Sequence, residues 1–499
     1  MSHRFSPRPN RAMEINWHSW GAEAFAAAVE QDKPVLLNLT AVWCHWCHLQ
    51  DETTYSSPEL IKLINENVIA IRVDADQYPH VQDRYIAGGW PTNAFLTPTG
   101  EALWSGTYVA EEQFAQVADS VLGAWSQRRD ELKLEIERRR MGIDAARSRQ
   151  HGAGIVRREA ADDVLTATID AYDERNGGFG IEPKFPYVDP IELLLVHGTR
   201  ENTDFLRMAE HTLDGMAAGE LWDHDKGGFY RYALAPDWTQ PRLEKLLSVN
   251  AAMLRIYALG GQMMKRAEWQ KTAQEIVGWV DGTLALKTGL WASSEAADVS
   301  LIDETLYTNY NAQWIRALAF AGARLERDEW IAKASVALDE LLSRMAAPGD
   351  LMFHYQAQGE APQAGFHLLD VSDAIAACVS VAQATKSAAY LDHARRLARG
   401  MEKGLWADDG GFWDRLKGAD EVGGLRYRDK PFETNADVAR AINQLAIACG
   451  DASLRALVER ILALLSSQAG RYGIGGAGYA IAVDEFFEAP AHVFVARKR

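Results

Sequence analysis

The spacing of apolar residues changes once along this chain, near residue 155. Ahead of that point they fall in short, nearly unbroken runs: Val35-Leu-Leu-Asn-Leu-Thr-Ala41, Val68-Ile-Ala-Ile-Arg-Val-Asp74 and Asn93-Ala-Phe-Leu96. Runs of this length between turn formers read as buried strands. Helical patterns lie among them: Ala22–Gln31, the stretch after Cys44, a helix from Ser57-Pro58-Glu59 to about Asn67, Pro79–Ala87, and one beginning near Glu111. A hydroxyl followed by a first-turn proline is a start signal, because the proline removes only an N–H that has no helical partner. The order β-α-β-α-β-β-α predicts a mixed α/β domain over residues 14–125. Residues 126–154 carry both charge signs and read as a helical linker with a solvated face.

From residue 155 the pattern is helical and loosely repeated. Gly177-Gly-Phe179, Gly227-Gly-Phe229, Gly289-Leu-Trp291, Asp350-Leu-Met-Phe353, Gly410-Gly-Phe412 and Gly475-Gly-Ala477 recur at intervals of roughly 50–65 residues. Each interval holds two helical patterns, such as Leu246–Met263 and Ala267–Leu284 between Gly227 and Gly289. Five intervals predict five helical hairpins. Glu159–Asp173 at the start and Tyr479–Phe487 at the end supply a sixth. Six hairpins in a closed ring form an (α/α)6 barrel over residues 155–499. Closure is expected over an open solenoid, because the odd helices at the two ends need each other.

Composition narrows the classes. At 499 residues and 47% hydrophobic, the chain can bury large cores in two or three domains. No apolar run is expected to be long enough for a bilayer span, and the first residues lack the apolar segment of a secretory signal. Four cysteines cannot staple so long a chain, so a reducing, cytoplasmic setting is expected. A formal net charge of −17 opposes binding to nucleic acid or a membrane surface. Arg138-Arg139-Arg140 and Arg497-Lys498-Arg499 read as a solvated helix face and a tail.

The candidate chemistry begins where the first strand run ends, at Trp43-Cys44-His45-Trp46-Cys47-His48. If a helix starts at Cys44, its sulfur sits among unpaired N–H groups at the positive end of the dipole. Thiols so placed can have pKa values of roughly 3.5–7.5, and Cys47, one turn on, can close a disulfide with Cys44. Zinc is the alternative for this Cys/His box, but four ligands must converge; Cys378 and Cys449 lie far off in helical stretches. Neither a metal nor a cofactor is called for. His45 and His48 can lower a thiol pKa or shuttle protons, and Trp43 and Trp46 flank the site. Gly88-Gly89-Trp90-Pro91 precedes the next strand, and in thioredoxin-like folds a proline here is cis and lies against the C-x-x-C. Trp90–Pro91 is therefore expected to be cis and to offer backbone to an incoming peptide or thiol. Thioredoxins carry a buried aspartate where this chain has Asn38, which cannot act as a base; Asp51 or His48 is the candidate substitute.

In the barrel, the first helix of each pair has polar groups near its start: Lys245 and Asn250; Asp303, Glu304, Tyr310 and Asn311; Asp370 and Asp373; Glu433, Asn435 and Asp437; Asp484 and Glu485. Each is singly read as a cap or dipole partner. As a ring they could line an acidic pocket, and with 16 Trp for stacking a sugar-like ligand is conceivable.

Trp17-x-x-Trp20-Gly21, Cys44-His45-Trp46-Cys47-His48, Val73-Asp74, Gly88-Gly89-Trp90-Pro91, Phe95-Leu96-Thr97-Pro98, Gly106-Thr107-Tyr108 and Gly178-Phe179-Gly180-x-x-Pro183-Lys184-Phe185-Pro186 occur in order. Together they resemble the spermatogenesis-associated thioredoxin-like (DUF255) family. The resemblance implies a multidomain α/β plus all-α fold: an N-terminal thioredoxin-like domain and a six-hairpin barrel similar to glycosidases and N-acylglucosamine 2-epimerases. It does not imply an activity, because fold does not determine function. The family's Glu-Lys-Met-Leu-Tyr-Asp-Asn reads here Glu244-Lys-Leu-Leu-Ser-Val249-Asn250, without the aspartate. Its Asp-x-Lys-x-x-x-x-Trp-Asn reads Asp303, Thr305, Tyr310 and Asn311, without the lysine and tryptophan. A barrel catalyst would be altered or absent.

Two enzymatic readings follow. In the first, Cys44 attacks a protein or small-molecule disulfide, Cys47 resolves the mixed disulfide, and the barrel binds substrate or partner. In the second, an epimerase- or hydrolase-like barrel uses carboxylates drawn from Asp303, Asp370, Asp373, Glu433 and Asp437, which must lie about 5–9.5 Å apart for glycosidic chemistry. A non-catalytic binding scaffold is the third reading.

Overall fold

A computed structural model of the protein describes residues 3–148, 154–200, 202–296, 301–418 and 421–488. The terminal Arg497-Lys498-Arg499 lies outside the described residues. The chain divides into two compact units, Met1–His151 with Lys417–Arg428, and Gly152–Leu416 with Asp429–Arg499.

The first unit runs β1 (Trp17–His18), α1 (Ala22–Gln31), β2 (Val35–Thr40), α2 (His45–Glu52), α3 (Pro58–Asn67), β3 (Ile69–Asp74), α4 (Pro79–Tyr85), β4 (Thr92–Leu96), β5 (Ala102–Gly106), α5 (Glu111–Gln127) and α6 (Arg129–Ser148). Its five strands lie in the order β1-β3-β2-β4-β5. β2 is central, parallel to β3 (Val35 opposite Ile69) and antiparallel to β4 (Leu39 opposite Thr92). The strand runs are nearly all apolar because both faces are covered. Leu37, Leu39, Ile71 and Leu96 pack with Trp20, Phe25 and Val81 on one face; Leu36, Ala70 and Phe95 pack with Tyr55, Ile64 and Phe114 on the other. Ser57 caps α3 by accepting the Leu60 N–H at 3.4 Å, as the Ser-Pro-Glu signal predicts. The segment 417–428 packs in this unit, a placement that the repeat pattern does not signal. Leu425 joins the Trp20 and Tyr85 core, and the Gly424 N–H donates to Tyr85 Oη at 2.7 Å.

The second unit holds twelve helices among the described residues: α7 (Glu159–Asp170), α8 (Val188–Arg200), α9 (Thr203–Ala218), α10 (Leu247–Met263), α11 (Ala267–Thr283), α12 (Thr308–Arg324), α13 (Asp328–Arg344), α14 (Leu368–Thr385), α15 (Ala389–Leu405), α16 (Phe432–Cys449), α17 (Ala452–Ser466) and α18 (Ala477–Phe487). The even-numbered helices form the inner ring, each against the next, and α18 closes it against α8. Each inner helix pairs with an outer one, and α7 packs on α18 as the sixth hairpin. The first and last helices thus complete each other, as their lone apolar faces require. Inner helices touch neighbours on most sides, so their apolar stripe widens toward the whole circumference. α14 carries this far enough to match a membrane span in length and composition, and 72% of it is buried. The expectation that no stretch reaches that length is corrected here by a core helix.

Candidate functional site

β2 delivers its chain end to the N-terminus of α2, and Cys44 is the N-cap, in extended conformation at φ −84° and ψ 109°. Its sulfur accepts the Cys47 N–H at 3.1 Å, and Cys44 and Cys47 are joined as a disulfide with Cα atoms 5.3 Å apart. The Cys47 N–H therefore points at the sulfur, as a helix start at Cys44 predicts. Trp90–Pro91 is cis, as expected. The β2–β4 register puts Thr92 opposite Leu39, so Pro91 arrives at the strand end from which the C-x-x-C loop departs. The Trp43 and Trp90 rings meet edge to face at 5.3 Å, while Trp46 lies 5.1 Å from Tyr108 and 5.5 Å from His45. Trp43 is anchored through its indole N–H to Asp76 at 2.8 Å. His48 and Pro91 are buried; His45, Trp46 and Trp90 are half-buried. Among the described residues, no three His, Cys, Asp or Glu side chains are grouped to hold a metal ion.

Beneath α2 lies a buried polar cluster. Asn38 and Arg72 project from the sheet face that carries Leu36 and Ala70, two residues back along each strand. Asp51, four residues beyond Cys47, accepts two Arg72 N–H bonds at 2.9 and 2.8 Å and the Ser6 N–H at 2.9 Å. Arg72 also donates to Asn38 Oδ1 at 3.0 Å, and Asn38 donates to Asn93 Oδ1 at 3.0 Å. Tyr55 donates to the same Asn93 oxygen. Asn38, where thioredoxins carry an aspartate, is thus an acceptor for Arg72. Asp51, one candidate substitute base, is committed to that guanidinium.

The barrel carries charge across its axis. Arg255, Arg316 and Arg440 each stand ninth in their inner helix (α10, α12 and α16). Glu192 accepts from Arg255 and, at 3.2 Å, from Arg440; Arg440 also donates to Glu485 at 2.9 Å. Against the opposing effect of burial, the two arginines hold Glu192 well below the usual carboxylate range. At the N-terminal ends of the inner helices opens a cavity of about 470 Å³, lined by Tyr187, Asp189, Arg231, Glu433, Asp437 and Tyr479 among others. Glu433 and Asp437 are exposed to this cavity yet enclosed by the ring. Burial, with Asp189 adding repulsion, raises the pKa of both. Burial and then Asp437 push Asp373 up to about 8. Carboxyls that stay protonated near neutrality can donate protons as well as accept hydrogen bonds.

Residues 8–142 match the Thioredox_DsbH family model, described as a protein of unknown function, DUF255. The N-terminal domain belongs to this family. An uncharacterized protein of Caenorhabditis elegans is 31% identical over 265 residues, covering 49% of this chain and 36% of its own. Spermatogenesis-associated protein 20 of Mus musculus is 29% identical over 320 residues, covering 60% and 40%. The chain spans about two fifths of the length of these curated relatives. A sugar epimerase from a ruminal bacterium superposes with a TM-score of 0.54 at 11% identity, covering 61% of this chain and 84% of that one. At such identity the likeness is one of fold, and the second unit shares that epimerase's (α/α)6 barrel architecture.

In the DUF255 domain the structure gathers Trp43, Cys44, His45, Trp46, Cys47, Trp90 and Pro91 at one sheet end. It scatters the barrel candidates. Asn250 accepts the Phe229 N–H at 2.8 Å and donates to the same residue's carbonyl at 3.0 Å. Asn311 does this to Trp291 at 2.9 and 3.0 Å, and Asn435 to Phe412 at 2.7 and 3.0 Å. Each asparagine, fourth in its helix, clamps one repeat loop. Lys245 bonds Asp223 at 2.6 Å and the Gly227 carbonyl at 2.7 Å, and Lys184 likewise holds Asp173 at 2.6 Å and the Gly180 carbonyl. Gly228, at φ +80°, lies where a Cβ would overlap Trp279. Asp303 accepts from Ser293 Oγ and Thr305 Oγ1 at 3.0 and 2.7 Å. Asp370 meets His354 Nδ1 at 2.9 Å and accepts the Asn309 N–H, and Tyr310 packs on Tyr307 at 5.3 Å. None of these lines the acidic cavity; Glu433 and Asp437 do. Sequence reasoning missed Asp189, Glu192, Arg255, Arg316 and Arg440. For the three arginines the available signal was their shared ninth position in α10, α12 and α16; Asp189 and Glu192, second and fifth in α8, carried none of that kind.

Proposed function

We propose that the protein is a thiol–disulfide oxidoreductase acting through Cys44 and Cys47. In the reduced state the Cys44 thiolate attacks a substrate disulfide. One S–S bond breaks, a mixed disulfide forms, and the first substrate thiolate leaves. Cys47, deprotonated, then attacks Cys44 Sγ and releases the second thiolate, so two electrons pass to the substrate and the protein disulfide re-forms. A dithiol reductant would restore the thiols. The observation that carries this reading is the Cys44 sulfur at the helix N-terminus, 3.1 Å from the Cys47 N–H, in a position that favours the ionised thiol. The half-buried rings of Trp46 and Trp90 suit an apolar peptide segment beside the reacting sulfur. A reducing, cytoplasmic setting fits Cys378 and Cys449, which are buried and unpaired; burial pushes the Cys378 thiol up to about 12.

The test is a Cys47→Ser protein, which should accumulate a mixed disulfide with insulin or glutathione disulfide while the wild type turns over with dithiothreitol. A Cys44→Ser variant as active as the wild type would overturn the reading. A second reading, a barrel that takes a polyhydroxylated ligand, is favoured by the acidic cavity alone. Its check is monosaccharide binding that is lost in Asp437→Asn.

A further inference from the structure

At the C-terminal ends of the inner helices lies another cavity, of about 270 Å³. Val196, Leu259, Phe320, Gln383, Gln444 and Ile481, one residue from each inner helix, border it. Four arginines reach it: Arg255, Arg316, Arg324 and Arg440. Two of them are spent, Arg255 on Glu192 and Asp189 and Arg440 on Glu192 and Glu485. The other two are not. Arg316 sits midway along α12, deep in the ring, with no hydrogen bond or ion pair among the described residues. Arg324 lies over the Phe320 ring at 3.6 Å, and its Nε is buried without an acceptor. Gln383 Nε2, at the same cavity, is also buried without one.

The carboxylates at this cavity cannot make up the difference. Glu192 and Glu485 serve the paired arginines, Asp484 bonds His197 at 2.8 Å, and Glu488 meets Arg158 at 3.4 Å. Asp373 and Asp437 attract Arg316 only at longer range, and Asp373 is bonded by Gln313 at 2.8 Å. The bland reading, a cation set against a helix dipole, suits Arg324 in the last turn of α12. It does not suit Arg316, a full two turns earlier. Burial, with Arg255 and Arg440 adding repulsion, lowers the Arg316 pKa, and burial brings Arg324 down to about 10. A buried cation so placed is costly unless something negative joins it.

We propose that this axial cavity binds a small oxyanion, a phosphate- or carboxylate-bearing metabolite, held by Arg316 and Arg324 with Gln383 as a third donor. The planar guanidinium fork matches both groups bidentately, and two unpaired cations suit a dianion. The volume falls below that of drug-sized pockets, so the ligand carries few heavy atoms beyond its charged group. The site lies wholly in the barrel, and the thiol chemistry can fail without affecting it.

The test is calorimetric titration of the full chain with inorganic phosphate and, separately, succinate, at fixed ionic strength with chloride as control. At least one probe should bind saturably at one site, and which one binds names the ligand class. Arg316→Gln and Arg324→Gln should each weaken that binding about tenfold or more. Without ligand, Arg316→Gln should melt no lower than the wild type, because it removes an unpaired buried charge; a purely structural arginine would lose stability. If Arg316→Gln fails to fold, its role is structural and the proposal falls. It falls equally if neither probe binds or if binding ignores both substitutions.

Discussion

Arg72→Leu should destabilise the DUF255 domain by about 3–5 kcal/mol. The side chains of Arg72 and Asp51 are 3% and 1% exposed, and the carboxylate receives both guanidinium arms at 2.8–2.9 Å. Removing the arginine leaves a buried charge with only the Ser6 N–H beside it. Two unit charges about 4 Å apart at an effective dielectric of about 20 interact by about 4 kcal/mol, which agrees with that range. The Phe5 and Trp17 rings, 4.7 and 5.6 Å from the guanidinium carbon, lose a cation as well. Adding Asp51→Leu removes the stranded charge. What then remains unpaired is neutral, the Asn38 oxygen, the Arg4 carbonyl and the Ser6 N–H, at about 1–3 kcal/mol each. The double variant should therefore be less destabilised than the sum of the two single ones by roughly 2 kcal/mol or more. The chain has two units, so a single global unfolding energy is ill-defined. Amide hydrogen exchange of the β2, β3 and β4 backbone reads this domain directly. A loss below about 1 kcal/mol for Arg72→Leu, or additive single effects, would refute the reasoning.

Asn311→Ala should cost the barrel roughly 2–4 kcal/mol, because the buried Trp291 N–H and carbonyl both lose their partner; differential scanning calorimetry reads this. Asp373 has a folded pKa raised from 3.8 to about 8, so its favourable contribution is complete below about pH 4 and is lost as pH rises through about 8. Asp373→Asn should thus match the wild type near pH 4 and exceed it by up to about 5 kcal/mol at pH 8, a gap that unfolding at the two pH values measures. Gly100, at φ +89°, meets the Gly423 backbone where a Cβ would stand. Gly100→Ala should loosen the 417–428 segment, which limited proteolysis would report as faster cleavage there.

Much of the fold was legible because its signals are local. The period of β2 and β3, the Ser57-Pro58 start and the Trp90-Pro91 step each state their own conformation within a few residues. Closure of the ring was legible too, since α7 and α18 each lack an adjacent partner in sequence. The barrel site was less so. A polar group near a helix start looks alike whether it lines a cavity, as Asp437 does, or clamps a loop, as Asn250, Asn311 and Asn435 do. The one-dimensional pattern records that a residue is polar, not which way its neighbours leave it to point.

The amino-acid order alone determined the elements, the two architectures and the strand–helix junction that carries Cys44 and Cys47, because backbone propensity, capping and hydrophobic period act over one or two turns. Which charges compensate each other was decided only by the folded ring. Arg440 and Glu192 stand 248 residues apart in sequence and share hydrogen bonds across its axis. Such pairs are chosen by desolvation: a charge carried into the core must find whatever opposite group closure brings beside it, and Arg316, brought to the same level of the axis, has none among the described residues.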